Sequence, residues 1–263
     1  MLRFSVVDFL NARPLIWGLL EDPPPGVEVS RDLPSVCADK LAAGEADVGL
    51  IPSIEYQRIA GLRVVGGLGI AAASEVRSVL LVSKVSREKI RSVGLDPASR
   101  TSAVLTRILL KRRYGIEPVF RESASGAEAD AELVIGDPAL KARLNGHVVL
   151  DLAAEWRAFS GHPFVFAFWA IAPGVDEGEA AGIARASYAA GQRDFPRLVA
   201  REAAESGLSE AVVEDYLRHS LHYELDAGDL AGLDLFYRLA AEDGLVPSSR
   251  PLALTAPAGR ISP

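Results

Sequence analysis

Short apolar runs followed by helical patterns recur through the first two thirds of the chain. Leu2–Val7, Val27–Ser30, Val48–Ile51, Arg63–Gly67 and Val79–Ser83 have the length and β-rich composition of strands. Asp32, Leu33, Pro34 and Ser35 open a helix whose Val36, Leu41 and Ala42 share a face, and Gly44 closes it. A second block repeats the alternation. Ser92–Leu95 is a strand, and Ser99–Thr101 cap a helix running to about Arg113. Pro118–Phe120, Leu133–Ile135 and Val148–Leu150 are further strands, with helices starting near Asp137 and Ala153. From Gly178 onward the pattern changes to consecutive helices, roughly 178–192, 196–205, 209–220 and 229–242. The last of these places Leu230, Leu233, Phe236, Tyr237 and Ala240 at helical spacing. The tail from Pro247 to Pro263 carries four prolines and is expected to run over the surface.

Strands alternating with helices at this spacing predict an α/β protein with doubly wound, mostly parallel sheets. Two such blocks and a helical C-terminal segment predict two lobes with a ligand cleft between them. Val79–Ser83 and Phe164–Ala172 are the expected crossings. Lobe one is then residues 1–80 plus 172–263, and lobe two is residues 81–171.

Composition narrows the function. The chain has 263 residues, 28 Lys and Arg against 35 Asp and Glu, and a net charge of −7. An acidic chain with no basic tract is a poor partner for nucleic acid, whose affinity comes largely from neutralised phosphates. A single cysteine, Cys37, allows no internal disulfide, and no Cys/His cluster offers a zinc site. The longest apolar stretch, Phe164–Ala172, has nine residues, against the ~20 of a spanning helix. Leu2 leads directly into a strand with no signal-peptide features, which predicts a cytoplasmic protein. His219 and His222 lie three apart without a third ligand, and no metal is expected.

Four stretches carry a more specific message. They are Asp8-Phe9-Leu10-Asn11-Ala12-Arg13-Pro14-Leu15; Gly44 to Tyr56; Gly69-Ile70 with Val76 to Ser83 and Ser99 to Ser102; and Ile135 to Leu140 with Asp151-Leu152, Glu155-Trp156 and Pro163 to Ala167. Together, in this order, they resemble the chorismate dehydratases of the futalosine route to menaquinone. The resemblance implies a two-lobed type II periplasmic-binding-protein-like fold. It also implies conversion of chorismate to 3-[(1-carboxyvinyl)oxy]benzoate and water, with no cofactor and with chorismate as the small-molecule partner. The elimination is expected to be substrate-assisted, the enolpyruvyl carboxylate of chorismate taking the C3 proton. Competing readings are a solute-binding protein for a small anion and the related 1,4-dihydroxy-6-naphthoate synthase. The Leu10-Asn11-Ala12-Arg13-Pro14-Leu15 motif favours the dehydratase.

The resemblance makes Asn11 and Ser78 the catalytic candidates. Asn11 follows the first strand at its carboxyl end, where open α/β sheets bind ligands, and its amide both donates and accepts without charge. Its ordinary role would be a turn former or helix cap. Ser78 begins the first crossing, where its hydroxyl could meet the cleft or simply end a strand. Ser99, Thr101 and Ser102 stand at a helix N-terminus suited to a carboxylate, although the same residues would cap the helix without a ligand. Ser53 is a weaker candidate of the same kind. Arg13 could clamp a carboxylate or pair with an acid in its own lobe. Asp8, Glu55, Asp137 and Glu155 lie within the motifs, but none is marked as the base. Arg77 is expected to be uninvolved, and Trp156 and Trp169 to be packing anchors.

Overall fold

A computed structural model describes residues 1–123, 128–142 and 144–255 of the chain. The first block contains β1 (Leu2–Val7), α1 (Arg13–Glu21), β2 (Val27–Asp32), α2 (Pro34–Ala43), β3 (Val48–Pro52) and β4 (Arg63–Ala72). The middle block contains β5 (Val79–Ser83), β6 (Ser92–Leu95), α3 (Arg100–Ile108), β7 (Val119–Glu122), β8 (Ala131–Ile135), α4 (Asp137–Lys141), β9 (Val148–Asp151) and α5 (Leu152–Ser160). The remainder is β10 (Phe164–Ile171), α6 (Glu177–Arg193), α7 (Phe195–Ser206), α8 (Glu210–Asp215), β11 (His222–Glu224) and α9 (Ala227–Glu242).

The strands form two sheets, ordered β11-β4-β10-β3-β1-β2 and β7-β6-β8-β5-β9. Both are mixed rather than mostly parallel. The parallel pairs are β1 with β2 and β3, and β6 with β7 and β8. The exceptions include the strands that carry the chain across. β5 runs antiparallel to β8 and β9, and β10 runs antiparallel to β3 and β4. A strand entering from the other lobe has no helical crossover within its own sheet, so the connection rule that enforces parallel pairing does not act on it. By sheet membership the chain leaves the first sheet after Ala72 and returns before Phe164. Phe164–Ile171, read from sequence as the end of lobe two, is thus a central strand of the first sheet.

Local chemistry explains several element ends. α2 starts with Pro34 in its first turn and stops at Gly44, whose φ of 72° is the left-handed conformation glycine adopts without strain. Its buried face is Cys37, Ala38 and Leu41; Ala42, expected on that face, is exposed. The small pair lets the helix sit close to the sheet. Burial pushes the Cys37 thiol up to about 12, so it stays protonated at neutral pH. Close packing also governs α1 against α6: a Cβ on Gly191 would lie 2.3 Å from the Pro14 carbonyl oxygen.

The core is continuous beneath both sheets. All eight residues of β10 are buried. Trp156 of α5 packs edge-on to Phe164 of β10 and Phe236 of α9, with ring centroids 5.6 and 6.1 Å apart. Trp156 and Trp169 are fully buried, as expected of packing anchors. The tail departs from expectation up to Thr255. Leu254 bridges in parallel to Val64, and Tyr56 donates to the Pro251 carbonyl at 3.0 Å. Residues 256–263 of the predicted surface tail lie outside the described residues. Among the described residues no helix is long and apolar enough to cross a membrane.

Ion pairs outside the cleft set an acid limit. The hydrogen bond from Arg3 holds Asp47 below its ordinary 3.8. Burial raises Asp32 and Asp243, but Lys40 with Ser30 and Ser5 in one case, and Arg112 with Lys111 in the other, bring both below 3.8. A carboxylate lowered in the fold contributes stability that is present above its unfolded pKa and lost as pH falls through the folded value. Thermal melts should therefore be insensitive to these groups near neutrality and fall steeply below about pH 4. An unchanged melting temperature at pH 3 would contradict this.

Candidate active site

At the carboxyl end of β1 the chain turns through Phe9 into a 3-10 turn, Leu10–Ala12, before α1. The Leu10 N–H donates to Asp137 Oδ1 of α4 at 3.2 Å, tying the turn to the second sheet. Across from it α3 begins at Arg100. Between them lies a cleft of about 520 Å3, mouth included, to which both sheets contribute. Asn11 and the run Ser99–Ser102 supply its polar groups, while Phe9, Ile70 and Phe166 supply apolar wall. Gly136, at φ 65°, forms part of the opposite wall, and a Cβ there would meet the Phe9 ring at 3.4 Å.

Two features of this cleft call for a ligand. The Asn11 Oδ1 is buried and has no hydrogen-bond partner, an arrangement that costs about 1–3 kcal/mol unless something binds there. The second is the start of α3. Its first N–H groups, on Arg100, Thr101 and Ser102, have no carbonyl four residues back. The Ser99 side chain makes no capping hydrogen bond, so the ordinary capping role considered for it is not taken up. Free N–H groups and the helix dipole suit this end to an anion. The Arg100 guanidinium adds little net charge, because it pairs with Asp39 at 2.8 Å and Glu55 at 3.1 Å.

Of the residues singled out from sequence, Asn11, Ser99, Thr101 and Ser102 line the cleft together. Three others do not. The Ser53 hydroxyl donates to the Val165 carbonyl at 2.8 Å and sits 3.5 Å from Thr101 Oγ1, so it supports a lining residue from behind. Ser78 is fully buried and accepts from the Tyr216 hydroxyl at 2.6 Å. It adjoins the cleft through Val79, its neighbour, and Gly136, whose N–H donates to the Ser78 carbonyl at 2.8 Å. Arg13 is held between Asp8 at 2.8 Å and Glu202 at 2.9 Å. Its charge is spent within the fold rather than on a ligand.

The acids are likewise engaged. Asp8 pairs with Arg13 and Arg31, Glu55 with Arg58 and Arg100, and Glu155 with Arg113 and Tyr114. Among the described residues no Asp, Glu or His lines the cleft. Sequence reasoning missed Tyr216, which lies on a π-helical turn, Tyr216–Ser220, 138 residues from the serine it contacts. It also passed over the backbone of Arg77, which has a φ of 61°. Its guanidinium pairs with Asp215 and donates to Ser220, each at 2.8 Å. A non-glycine residue at positive φ beside a cleft is a usual mark of a functional region.

Comparison with known proteins bears on the family and the fold. A family profile described as menaquinone biosynthesis matches residues 2–242. A chorismate dehydratase of Campylobacter jejuni is 31% identical over 170 residues, which are 62% of this chain and 65% of that protein. The matched part thus spans just under two thirds of that relative. A chorismate dehydratase of Thermus thermophilus is 28% identical over 238 residues, 80% of this chain and 86% of that one. Among solved structures, the Archaeoglobus fulgidus protein AF1704 superposes with a TM-score of 0.76 at 16% identity, covering 93% of this chain and 98% of its own. The alkanesulfonate-binding protein SsuA of Xanthomonas axonopodis pv. citri gives 0.63 at 19% identity, covering 97% of each. The periplasmic aliphatic sulphonate-binding protein SsuA of Escherichia coli superposes likewise, with a TM-score of 0.61 at 21% identity over 94% of each chain, so the fold is that of the periplasmic binding proteins, and the profile match over nearly the whole chain shows that this protein belongs to the menaquinone biosynthesis family.

Proposed function

We propose that the protein is a chorismate dehydratase, a hydro-lyase that converts chorismate to 3-[(1-carboxyvinyl)oxy]benzoate and water, acting in the cytoplasm. The observation that carries this reading is the pairing, in one cleft, of an unpartnered amide oxygen with the free N–H groups of a helix start. Chorismate offers a partner for each: a neutral hydroxyl at C4 and two carboxylates. The relatives of the same name support the choice of substrate.

The reaction breaks the C3–H and C4–O bonds, and the electron pair of the former completes the aromatic ring. The proton and the hydroxide leave as water. Aromatisation supplies much of the driving force, so the protein's task is orientation and hydrogen bonding in a dry site. The start of α3, with Ser99, Thr101 and Ser102, holds a carboxylate. Asn11 meets the C4 hydroxyl, its Oδ1 accepting and its amide N–H groups free to donate as negative charge grows on the departing oxygen. Ser78 already accepts from Tyr216, which leaves its own proton to donate. The proton at C3 passes to the enolpyruvyl carboxylate of the substrate itself. A protein carboxylate beside two substrate carboxylates would meet like-charge repulsion, and the acid-free lining supports an elimination without an enzyme base.

Purified protein incubated with chorismate should consume it and release the aromatic enol ether in equal amount, read by chromatography. Binding with no turnover would favour a solute-binding protein and defeat this reading.

A further inference from the structure

Arg13 stands two residues after Asn11 and its guanidinium is buried between two carboxylates. Its Nε donates to Glu202 Oε2 at 2.9 Å, and its Nη2 contacts Asp8 Oδ1 at 2.8 Å. The Arg13 and Glu202 side chains are 7% and 5% exposed. The Asp8–Arg13 contact closes the segment 8–13 around the turn that carries Asn11. Glu202 then fastens that closed turn to α7, a helix that contributes nothing to the cleft lining.

This is a poor design for stability alone. Desolvating two charges offsets most of their attraction, and apolar residues of similar size often serve as well or better. Arg13 Nη1 and Glu202 Oε1 are buried without hydrogen-bond partners, so the network is not even fully satisfied. What a buried ion pair does supply is a single geometry, and Asn11 needs one. Its side chain has no hydrogen bond of its own to the protein at Oδ1. Its aim is therefore inherited from the backbone of the turn that Asp8 and Arg13 clamp.

We infer that Glu202, acting through Arg13, is a positioning residue for Asn11, so that a C-terminal helix sets the aim of the amide in the cleft. The inference rests on the role given to Asn11 in chorismate dehydration. A misplacement of about 1 Å at a reacting group can cost up to ~10²-fold in rate. Glu202→Gln is thus expected to lower kcat roughly 10- to 100-fold while KM stays within about twofold, because α3 and its N–H groups are untouched.

The deciding measurement is a double-mutant cycle. If Glu202 works through Asn11, Glu202→Gln should change kcat little further once Asn11→Ala is present. Equal factors in both backgrounds, or a lowered melting temperature with kcat intact, would overturn the inference. Should Glu202→Gln fail to fold, the apolar pair Arg13→Met with Glu202→Leu keeps the test open: it is expected to fold and to be slow, and wild-type kcat in it would overturn the inference equally. A wild-type chain inert toward chorismate would defeat the dehydratase reading, and this inference with it. An active wild type with additive variants would defeat the inference alone.

Discussion

Replacing Asn11 by alanine is expected to lower kcat by 10²- to 10³-fold, about 2.7–4 kcal/mol of transition-state stabilisation, while leaving the protein folded. The two halves of this prediction have separate grounds. The rate loss follows from removing an uncharged donor and acceptor that is aimed at the cleft. Retention of the fold follows because the Oδ1 that is deleted bonds to nothing in the protein. The turn itself is held by other bonds, from the Ala12 N–H to the Phe9 carbonyl at 3.0 Å and from the Leu10 N–H to the Asp137 carboxylate at 3.2 Å. Steady-state kinetics on chorismate and a thermal melt of the same preparation test both. A melt lowered by many degrees with kcat preserved would mean that Asn11 is a turn former after all. Deleting a buried, unpaired oxygen removes an unfavourable group, so the alanine variant could even melt slightly higher. That trade of stability for rate is expected of a residue kept for chemistry.

How far the sequence disclosed this site depended on the range of the interactions involved. β1, the Gly44 stop of α2 and the start of α3 at Ser99–Arg100 follow from local periodicity and capping chemistry, and they were legible. So were the cleft residues that sit on those features, Asn11 and Ser99–Ser102. The direction of β5 and β10 was not, because nothing in a strand's own residues says which neighbours it will meet after crossing between sheets. Ser53 and Arg13 stand at equally suggestive positions, yet their polar groups are taken by partners 112 and 189 residues away, and Ser78 accepts from a tyrosine 138 residues away. No local rule could show that. The C-terminal helices looked generic for the same reason: their contributions, Tyr216 and Glu202, matter only through residues of the first blocks.

The charge balance takes on a definite meaning beside the candidate site. A chain at −7 does not draw a dianion by its overall field. Asp8, Glu55 and Glu155 are each matched to an arginine, and Asp137 to the Leu10 N–H. That leaves the lining neutral, with the α3 N-terminus as its positive pole. In the elimination proposed above, the pairing of the lining Arg100 with Asp39 and Glu55 would leave the substrate's own carboxylate basic enough to take a proton.

The other large effect is expected at Asp151, where substitution by alanine should cost about 3 kcal/mol or more of stability and reduce turnover as well. Asp151 ends β9 and caps α5, its Oδ1 accepting from Ala153 N–H at 3.1 Å and Ala154 N–H at 3.2 Å. Its Oδ2 accepts from Val76 N–H at 3.0 Å and Arg77 N–H at 2.7 Å. The second pair lies just before the crossing strand β5 and holds Arg77 at φ 61°, the only non-glycine positive φ among the described residues. Loss of a cap costs ~0.5–2 kcal/mol, and each stranded buried donor about 1–3 kcal/mol. Burial raises the pKa of Asp151 above 3.8 despite these four donors. Its charged form is therefore disfavoured by the fold. That contribution is favourable below pH 3.8 and is lost as pH rises through the folded value, opposite in sign to Asp47. Asp151→Asn removes the charge yet keeps one accepting oxygen, so its loss should fall between wild type and alanine. Denaturant unfolding of the two variants gives the order, and an alanine variant within about 0.5 kcal/mol of wild type would refute it. Turnover should follow stability in this case, because a relaxed Arg77 would displace Ser78 and, beyond it, Val79, which lines the cleft.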